Sequence, residues 1–226
     1  MKIQQPINEY YEELAPNYDQ DRFGNTYGQY IHQQETAILN QLLPYPATTL
    51  TLDLGCGTGR LLRWATHGLD YSPAMIAQAE KKYPDRDLQI GSAWDTPYET
   101  ACFQAVYSFH VLMHLEEAQI PTVLQEAARI LQSGGRFIFD IPSKKRRALL
   151  RYRAGHWHGA QSLALDDIRA FAGEDWEVRS YTGVLFLPIH RFPNWLRQPL
   201  RWMDDLLCRS PWRAYASYLV IELVRK

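Results

Sequence analysis

Leu52-Asp53-Leu54-Gly55-Cys56-Gly57-Thr58-Gly59 closes a β-rich run, residues 48–54 (TTLTLDL), and opens a short apolar segment. Apolar and β-branched residues running into glycines read as a buried strand that ends in a tight turn. Glycines there let a ligand approach the main chain. The spacing predicts a short helix over 58–66, whose unpaired N–H groups would favour an anionic group beside it. A dinucleotide fingerprint, G-x-G-x-x-G/A, fails: counted from Gly55, its third position falls on Arg60, too bulky for close helix–strand packing. The spacing is G-x-G-x-G, and with no G-K-[ST] it is not a phosphate-cradling P-loop. A short strand over 67–71 carries Asp70, 17 positions after Asp53, where a carboxylate can accept hydrogen bonds from both hydroxyls of a ribose.

Outward from this loop the pattern alternates. Ser72-Pro73 starts a helix to about Tyr83, and strands are predicted at 87–91 and 104–110. An amphipathic helix over 116–131 stops at Ser133-Gly134-Gly135, and RFIFDI follows as an apolar strand. Strand–helix alternation argues for an α/β doubly wound sheet with helices on both faces. Upstream, Tyr10, Tyr11, Leu14 and Tyr18 recur at helical spacing. Ile31, Ile38, Leu39, Leu42 and Leu43 form a second stripe that Pro44 and Pro46 end. This gives a helical N-terminal cap over 1–47 ahead of a main domain over 48–226, the two forming a single structural domain. Beyond Ser143 the pattern loosens, with a helix near 163–172, a strand over 176–187, a helix over 193–208 and a strand over 215–224. The two late strands lack long crossovers and point to an antiparallel edge.

Composition bounds the function classes. The chain has 226 residues, 46% hydrophobic and 22% charged, which suits a folded domain and not a disordered chain. A net charge of −1 excludes a molecule built to wrap nucleic acid. Cys56, Cys102 and Cys208 are odd in number and contain no C-x-x-C, which excludes a disulfide framework and predicts a reduced, cytoplasmic compartment. The first residues lack the apolar core of a secretory signal, and no apolar run is long enough to span a bilayer. Charge is uneven: residues 1–140 carry 9 Lys+Arg against 17 Asp+Glu, residues 141–226 carry 15 against 8, and five of the seven tryptophans lie in the second part. The basic run 144–153 has three readings: a solvated helix face, attraction of an acidic substrate, or peripheral contact with an anionic membrane. The tract with Trp195, Leu196, Leu200, Trp202, Met203, Leu206 and Leu207 reads as core packing, as a roof over an apolar acceptor, or as a lipid-facing helix.

Five motifs in order, LDLGCGTG, GLDYSPAMI, IGSAWDTPY, FQAVYSFHVLMHL and ARILQSGGRFIFDIP, preceded by YYEELAPNYD, resemble the class I S-adenosylmethionine-dependent methyltransferases, in particular the small-molecule group of ubiquinone and menaquinone enzymes. The resemblance implies a Rossmann-like seven-stranded sheet in order 3-2-1-4-5-7-6 with the last strand antiparallel. It also implies S-adenosyl-L-methionine as cofactor, leaving as S-adenosyl-L-homocysteine after in-line transfer to a small-molecule acceptor, apolar or acidic, beneath a variable substrate-side region at 144–215. By the same resemblance Gly55, Cys56, Gly57 and Gly59 face the methionyl part and Asp70 holds the ribose. Tyr71 and Met75 flank the adenine, Ala93 and Trp94 lie at its edge, Ser108, Phe109 and His110 sit beneath the methionyl and sulfonium region, and Tyr18 closes over the cofactor. Ser92, Gln104 and Ser133 depart from the family pattern, which has an acid, an acid and a proline there. His110 and His114 (HVLMH) are the catalytic candidates, one helical turn apart. No metal is expected of them, because H-x-x-x-H lacks the Glu of H-E-x-x-H. Two competing readings stand beside this one: a non-catalytic S-adenosylmethionine- or partner-binding protein, and a nicotinamide-dependent oxidoreductase, against which Arg60 argues.

Overall fold

The structure, a computed structural model, describes residues 4–43, 49–152 and 161–226. Pro44, Pro46 and the expected boundary at 47/48 lie outside the described residues. Seven strands form one sheet: β1 (Thr51–Leu54), β2 (His67–Asp70), β3 (Asp87–Ile90), β4 (Phe103–Ser108), β5 (Leu131–Pro142), β6 (Trp176–Val184) and β7 (Tyr218–Arg225). Their order is β3-β2-β1-β4-β5-β7-β6. The first five are parallel, while β7 runs antiparallel to both β5 and β6, as expected.

Side-chain alternation along the central strands divides the interior in two. Phe137, Phe139 and Ile141 of β5, with Ile221 and Leu223 of β7, face α5 (Ile120–Ile130) and α7 (Leu165–Ala172). Ile138 and Val220 face the other way, onto α3 (Thr26–Leu42), whose Tyr30, Ile31, Ile38 and Leu39 cover that side. The second half of the N-terminal cap is therefore a wall of the main core. Ahead of it lie α1 (Gln4–Leu14) and the short α2 (Tyr18–Phe23). The Pro73–Lys82 helix (α4) follows β2, capped by Ser72 as the Ser-Pro pair predicts. Two further helices, α6 (Lys144–Leu149) and α8 (Asn194–Arg209), belong to the C-terminal third. Among the described residues no helix is long and apolar enough to cross a membrane.

Several boundaries differ from expectation. No α-helix follows the glycine loop: residues 58–61 turn, and Leu62–Trp64 make a single 3₁₀ turn. Gly59 at φ +80° sits eight residues before β2, which leaves no length for an α-helix. The expected electropositive helix end at the loop is thereby lost. Strand β4 stops at Ser108 because His110 is left-handed at φ +61°, and β6 stops at Val184 because Leu185 is left-handed at φ +56°. Strand β5 begins at Leu131 and absorbs Ser133–Gly135 as an irregularity, the register passing from Phe103↔Leu131 to Ala105↔Arg136. The last strand, expected over 215–224, begins at Tyr218, because Pro211–Tyr215 is a 3₁₀ turn.

Ile221 is fully buried at the centre of β7, paired with Phe139 on one side and Tyr181 on the other. Ile221→Ala is expected to lower stability by about 2–5 kcal/mol. In urea titration this appears as a lower midpoint with an unchanged slope.

Candidate active site

At the carboxyl ends of β1, β2 and β4 the chain encloses a cleft. Gly55 has φ +80°, and a Cβ there would lie 2.2 Å from Val111 Cγ2, so only glycine fits. Gly57, at φ +53°, aims its N–H at Asp70 Oδ2, 2.8 Å away. The other oxygen of Asp70 accepts from Ser72 N–H at 2.9 Å. The carboxyl is thus pinned between the glycine loop and the start of α4, and burial raises its pKa. Asp53, on β1 beneath it, is pushed up to about 8 by burial. Two acidic groups in one enclosed site favour a ligand that brings positive charge.

The cleft wall contains most of the expected residues. Gly55, Cys56 and Gly57 come from the loop, Asp70, Tyr71 and Met75 from the second crossover, Ala93 and Trp94 from the segment after β3, and Phe109, His110 and His114 from the segment after β4, with Tyr18 on the N-terminal side. Two expected residues are elsewhere. Gly59 faces Ala79 and Tyr83 behind the loop. Ser108 is buried, its Oγ donating to Leu54 O at 2.7 Å, so it braces β4 against β1 instead of facing the cleft. Tyr11, Thr58, Arg60, Val111 and Leu115, not expected from the sequence, also line the cleft.

The N-terminal segment is strapped across the opening at two points. Glu12 Oε1 accepts from Ser72 Oγ at 2.7 Å, and Asp19 Oδ1 accepts from Thr58 Oγ1 at 2.5 Å. Lys82 pairs with Asp19 and also donates to Thr58 O. Tyr11 and Tyr18, in edge contact with each other, hang from this strap into the cleft.

The two histidines do not share a helical face. His110 is left-handed, and His114 ends a separate 3₁₀ turn. His110 N–H donates to Asp140 Oδ1 at 2.6 Å. Its Nε2 lies 2.7 Å from Glu35 Oε1, and its Nδ1 3.3 Å from Asp140 Oδ2. Arg60 closes the cluster on Glu35 Oε2 at 2.7 Å, its guanidinium 4.0 Å from the Phe23 ring centre. Burial pushes the Glu35 carboxyl up, yet Arg60 and His110 outweigh it and bring the group down to about 2. Burial also works against charge on His110, but Asp140 and Glu35 prevail and raise its pKa. The imidazole lies between the two carboxyl groups, and burial raises the pKa of Asp140. Glu35, His110 and Asp140 each place a ligand atom within 4.8 Å of the others, but Arg60 already pairs with Glu35 there. His114 Nε2 meets the Tyr11 hydroxyl at 2.9 Å, beside the strap.

Sequence reasoning missed Glu35 and Asp140, although both carried a signal. Glu35 is the charged residue on the buried stripe of α3, among Ile31, Gln34 and Ile38, and Asp140 is the charged residue within the apolar RFIFDI. Lys, Glu, Arg and Asp are almost never fully buried unless paired. Glu35→Gln leaves Arg60 and His110 without their carboxylate and is expected to cost about 3–5 kcal/mol. The Glu35 contribution is present above pH 4.5 and is lost as pH falls toward about 2. That of His110 is present below its ordinary value of 6.5 and is lost as pH rises through its raised value. Denaturation at a series of pH values should show the wild-type advantage over Glu35→Gln widest between these two ordinary values and narrowing on either side of them.

Comparison with known proteins follows the same lines. A methyltransferase-domain family model matches residues 52–139, from β1 to β5. The 2-phytyl-1,4-naphthoquinone methyltransferase of Thermosynechococcus vestitus is 30% identical over 65% of this chain and 69% of its own length. The (+)-O-methylkolavelool synthase of Herpetosiphon aurantiacus is 28% identical over 62% of this chain; the match spans 58% of that relative, less than two thirds of its length. Magnesium protoporphyrin IX methyltransferase from Synechocystis PCC 6803, solved with bound S-adenosylmethionine, superposes with a TM-score of 0.67 at 15% identity over 100% of this chain and 98% of that one, a likeness of fold. The sheet order, the left-handed glycine loop and the family match together place the chain among the class I S-adenosylmethionine-dependent methyltransferases.

Proposed function

We propose that the chain binds S-adenosyl-L-methionine in this cleft and methylates a small-molecule acceptor, releasing S-adenosyl-L-homocysteine. The observation that carries the reading is the pinned Asp70 carboxyl opposite the open, left-handed Gly55–Gly57 turn. Asp70 is the ribose acceptor, and Gly55, Cys56 and Gly57 receive the amino-acid tail with Asp53 as its buried counter-charge. Tyr71, Met75, Ala93 and Trp94 form the adenine slot. Tyr18 and Phe109 enclose the sulfonium region. Bound there, the cofactor supplies an activated methyl group on a cationic sulfur. Ser108 and Gly59 support this site from behind without touching it.

The chain's own contribution is alignment. Holding acceptor and donor in line can contribute about 7–11 kcal/mol by itself. The strap at Glu12–Ser72 and Asp19–Thr58 closes the cleft and keeps water out while the partners are held. His110, locked between Glu35 and Asp140, acts as a positioning residue that sets the floor after β4. The proton acceptor, where the acceptor needs one, is His114, oriented by Tyr11. Phe109, Val111 and Leu115 make the wall beyond apolar, which favours an apolar acceptor over an acidic one. The naphthoquinone and kolavelool named for two relatives are supports of that kind. Neither nucleic acid nor a metal ion enters this reading.

Calorimetry of S-adenosylhomocysteine binding tests it in two ways. Asp70→Asn should weaken affinity about 10–100-fold, the worth of hydrogen bonds to a charged acceptor. Unchanged affinity would displace the site. Asp53, held largely protonated at neutral pH with a value of about 8, should lose its proton to solvent when the ligand's ammonium group comes to rest beside it. Binding should therefore release protons at pH 7 and tighten as pH rises toward 8. A methyl-transfer assay on a panel of apolar hydroxylated and quinol acceptors separates an enzyme from a binding protein: tight binding with no turnover on any acceptor favours the second.

A further inference from the structure

Helix α8 exposes an apolar stripe although its other side, with Leu200 on the core, is the packed one. Its solvent side carries Trp195 (78% exposed), Pro199, Trp202 (70%) and Leu206 (51%), flanked by Met203, while its protein side carries Asp204 and Cys208. The spacing 195, 199, 202, 206 makes a single helical stripe about 16 Å long. Leu200 of the tract packs on the core, but Trp195, Trp202 and Leu206, which sequence alone reads most simply as packing, stand in solvent.

The polar groups of the helix are sorted as well. Asp204 points inward, its Oδ2 accepting from Tyr30 OH and Gln34 Nε2, each at 3.0 Å, while the exposed Asp205 is tied back by Gln34 Nε2, which donates to its Oδ1 at 2.8 Å. Asp204 Oδ1 also accepts from Leu187 N–H. Arg209 stands on the exposed side, and Arg191 is exposed just ahead of the helix. Trp212 (64% exposed) in the 3₁₀ turn that packs on α8 is exposed as well, as are Leu149 and Leu150 at the end of α6, which contacts the same turn, beside exposed Lys145 and beside Lys144, which pairs with Asp167. The whole of residues 141–226 carries 15 basic against 8 acidic residues.

We infer that this face docks the protein on an anionic lipid surface, with the tryptophan and leucine side chains entering the interface and the arginines and lysines facing the headgroups. Three observations select that occupant. Exposed tryptophans in line with leucine on an amphipathic helix with basic flanks are the composition of interfacial helices. Charge complementarity favours a negative surface, and each Lys or Arg held near it adds to the attraction. A second copy meeting this face with its own would bring like charge against like charge. The face also adjoins the cleft's cover: Arg197 of α8 donates to Thr26 at the start of α3, three residues beyond Phe23 of the strap segment. The inference does not depend on methyl transfer, and solution affinity for S-adenosylhomocysteine, measured in parallel, tests that other reading alone.

The test uses the full chain and extruded vesicles of phosphatidylcholine, with and without about 30% phosphatidylglycerol. Sedimentation should show binding to the anionic vesicles, at least about tenfold stronger than to the neutral ones, and a marked loss at about 0.5 M salt. The double variant Trp202→Gln/Leu206→Gln should bind about tenfold more weakly, since two apolar anchors are lost. Should that variant fail to fold by circular dichroism, the wild type still decides: acyl-chain-brominated lipids should quench its tryptophan emission, and an absence of quenching overturns the proposal. No binding, equal binding to both vesicle types, or a double variant that binds like wild type would each overturn it. So would light scattering that shows a wild-type dimer dissolved by the double variant, which would assign the face to a second copy.

Discussion

One carboxyl, Asp70, ties two crossovers of the sheet around one cleft. It sits at the end of β2, takes the Gly57 N–H from the loop after β1, and takes the Ser72 N–H from the start of the next helix. That arrangement requires a loop whose backbone can be left-handed at Gly55, Gly57 and Gly59 in succession. It also requires that no side chain fill the space over Gly57, and none does. The cost of burying the carboxyl is visible as its raised pKa. Ligand hydrogen bonds and positive charge relieve that cost, so the same feature that strains the empty fold favours occupancy.

The rest of the site is arranged around this hollow by charge. The Arg60–Glu35–His110–Asp140 cluster joins the helical cap to the ends of β4 and β5, so the cap's long helix is fastened to the floor of the cleft by buried ionic contacts as well as by its apolar stripe. Buried ion pairs of this kind add little net stability relative to apolar packing, but they penalise any other arrangement heavily. Their consequence here is position. His110 is held in a left-handed backbone conformation that turns the chain into the cleft wall. The strap above, made of two part-buried hydrogen bonds at Glu12–Ser72 and Asp19–Thr58, is less enclosed than this ionic floor and so more easily opened. Floor and lid therefore differ in strength, as entry and retention of ligands require.

Much of this was legible in the residues. Alternating patterns located every strand of the sheet, and the ordered motifs implied its order, because each parallel strand must bury both faces and each crossover must end in turn residues. Gly55, Gly57 and Asp70 were legible for the same reason: few other residues satisfy a left-handed turn beside a strand-end acid. The helix after the glycine loop was misread, since G-x-G-x-G followed by apolar residues looks like a helix start, while the left-handed Gly59 and the short span to β2 permit only a 3₁₀ turn. Ser108 and Gly59 were assigned to the ligand although one braces β1 and the other packs on α4. Sequence order gives proximity to a site but not the direction a side chain points. Pairing across 75 residues, as between Glu35 and His110, leaves no periodic trace at all.

The central claim is that the hollow between the glycine loop and Asp70 is the nucleoside site of a methyl donor. A crystal structure of the chain grown with S-adenosylhomocysteine tests it most directly. The account predicts electron density with the ribose hydroxyls on Asp70, the amino-acid tail over Gly55–Gly57 and Tyr18 closed above the sulfur. Density for the nucleoside at any other place, or a hollow closed by the Tyr11 and Tyr18 rings at saturating ligand, would contradict it.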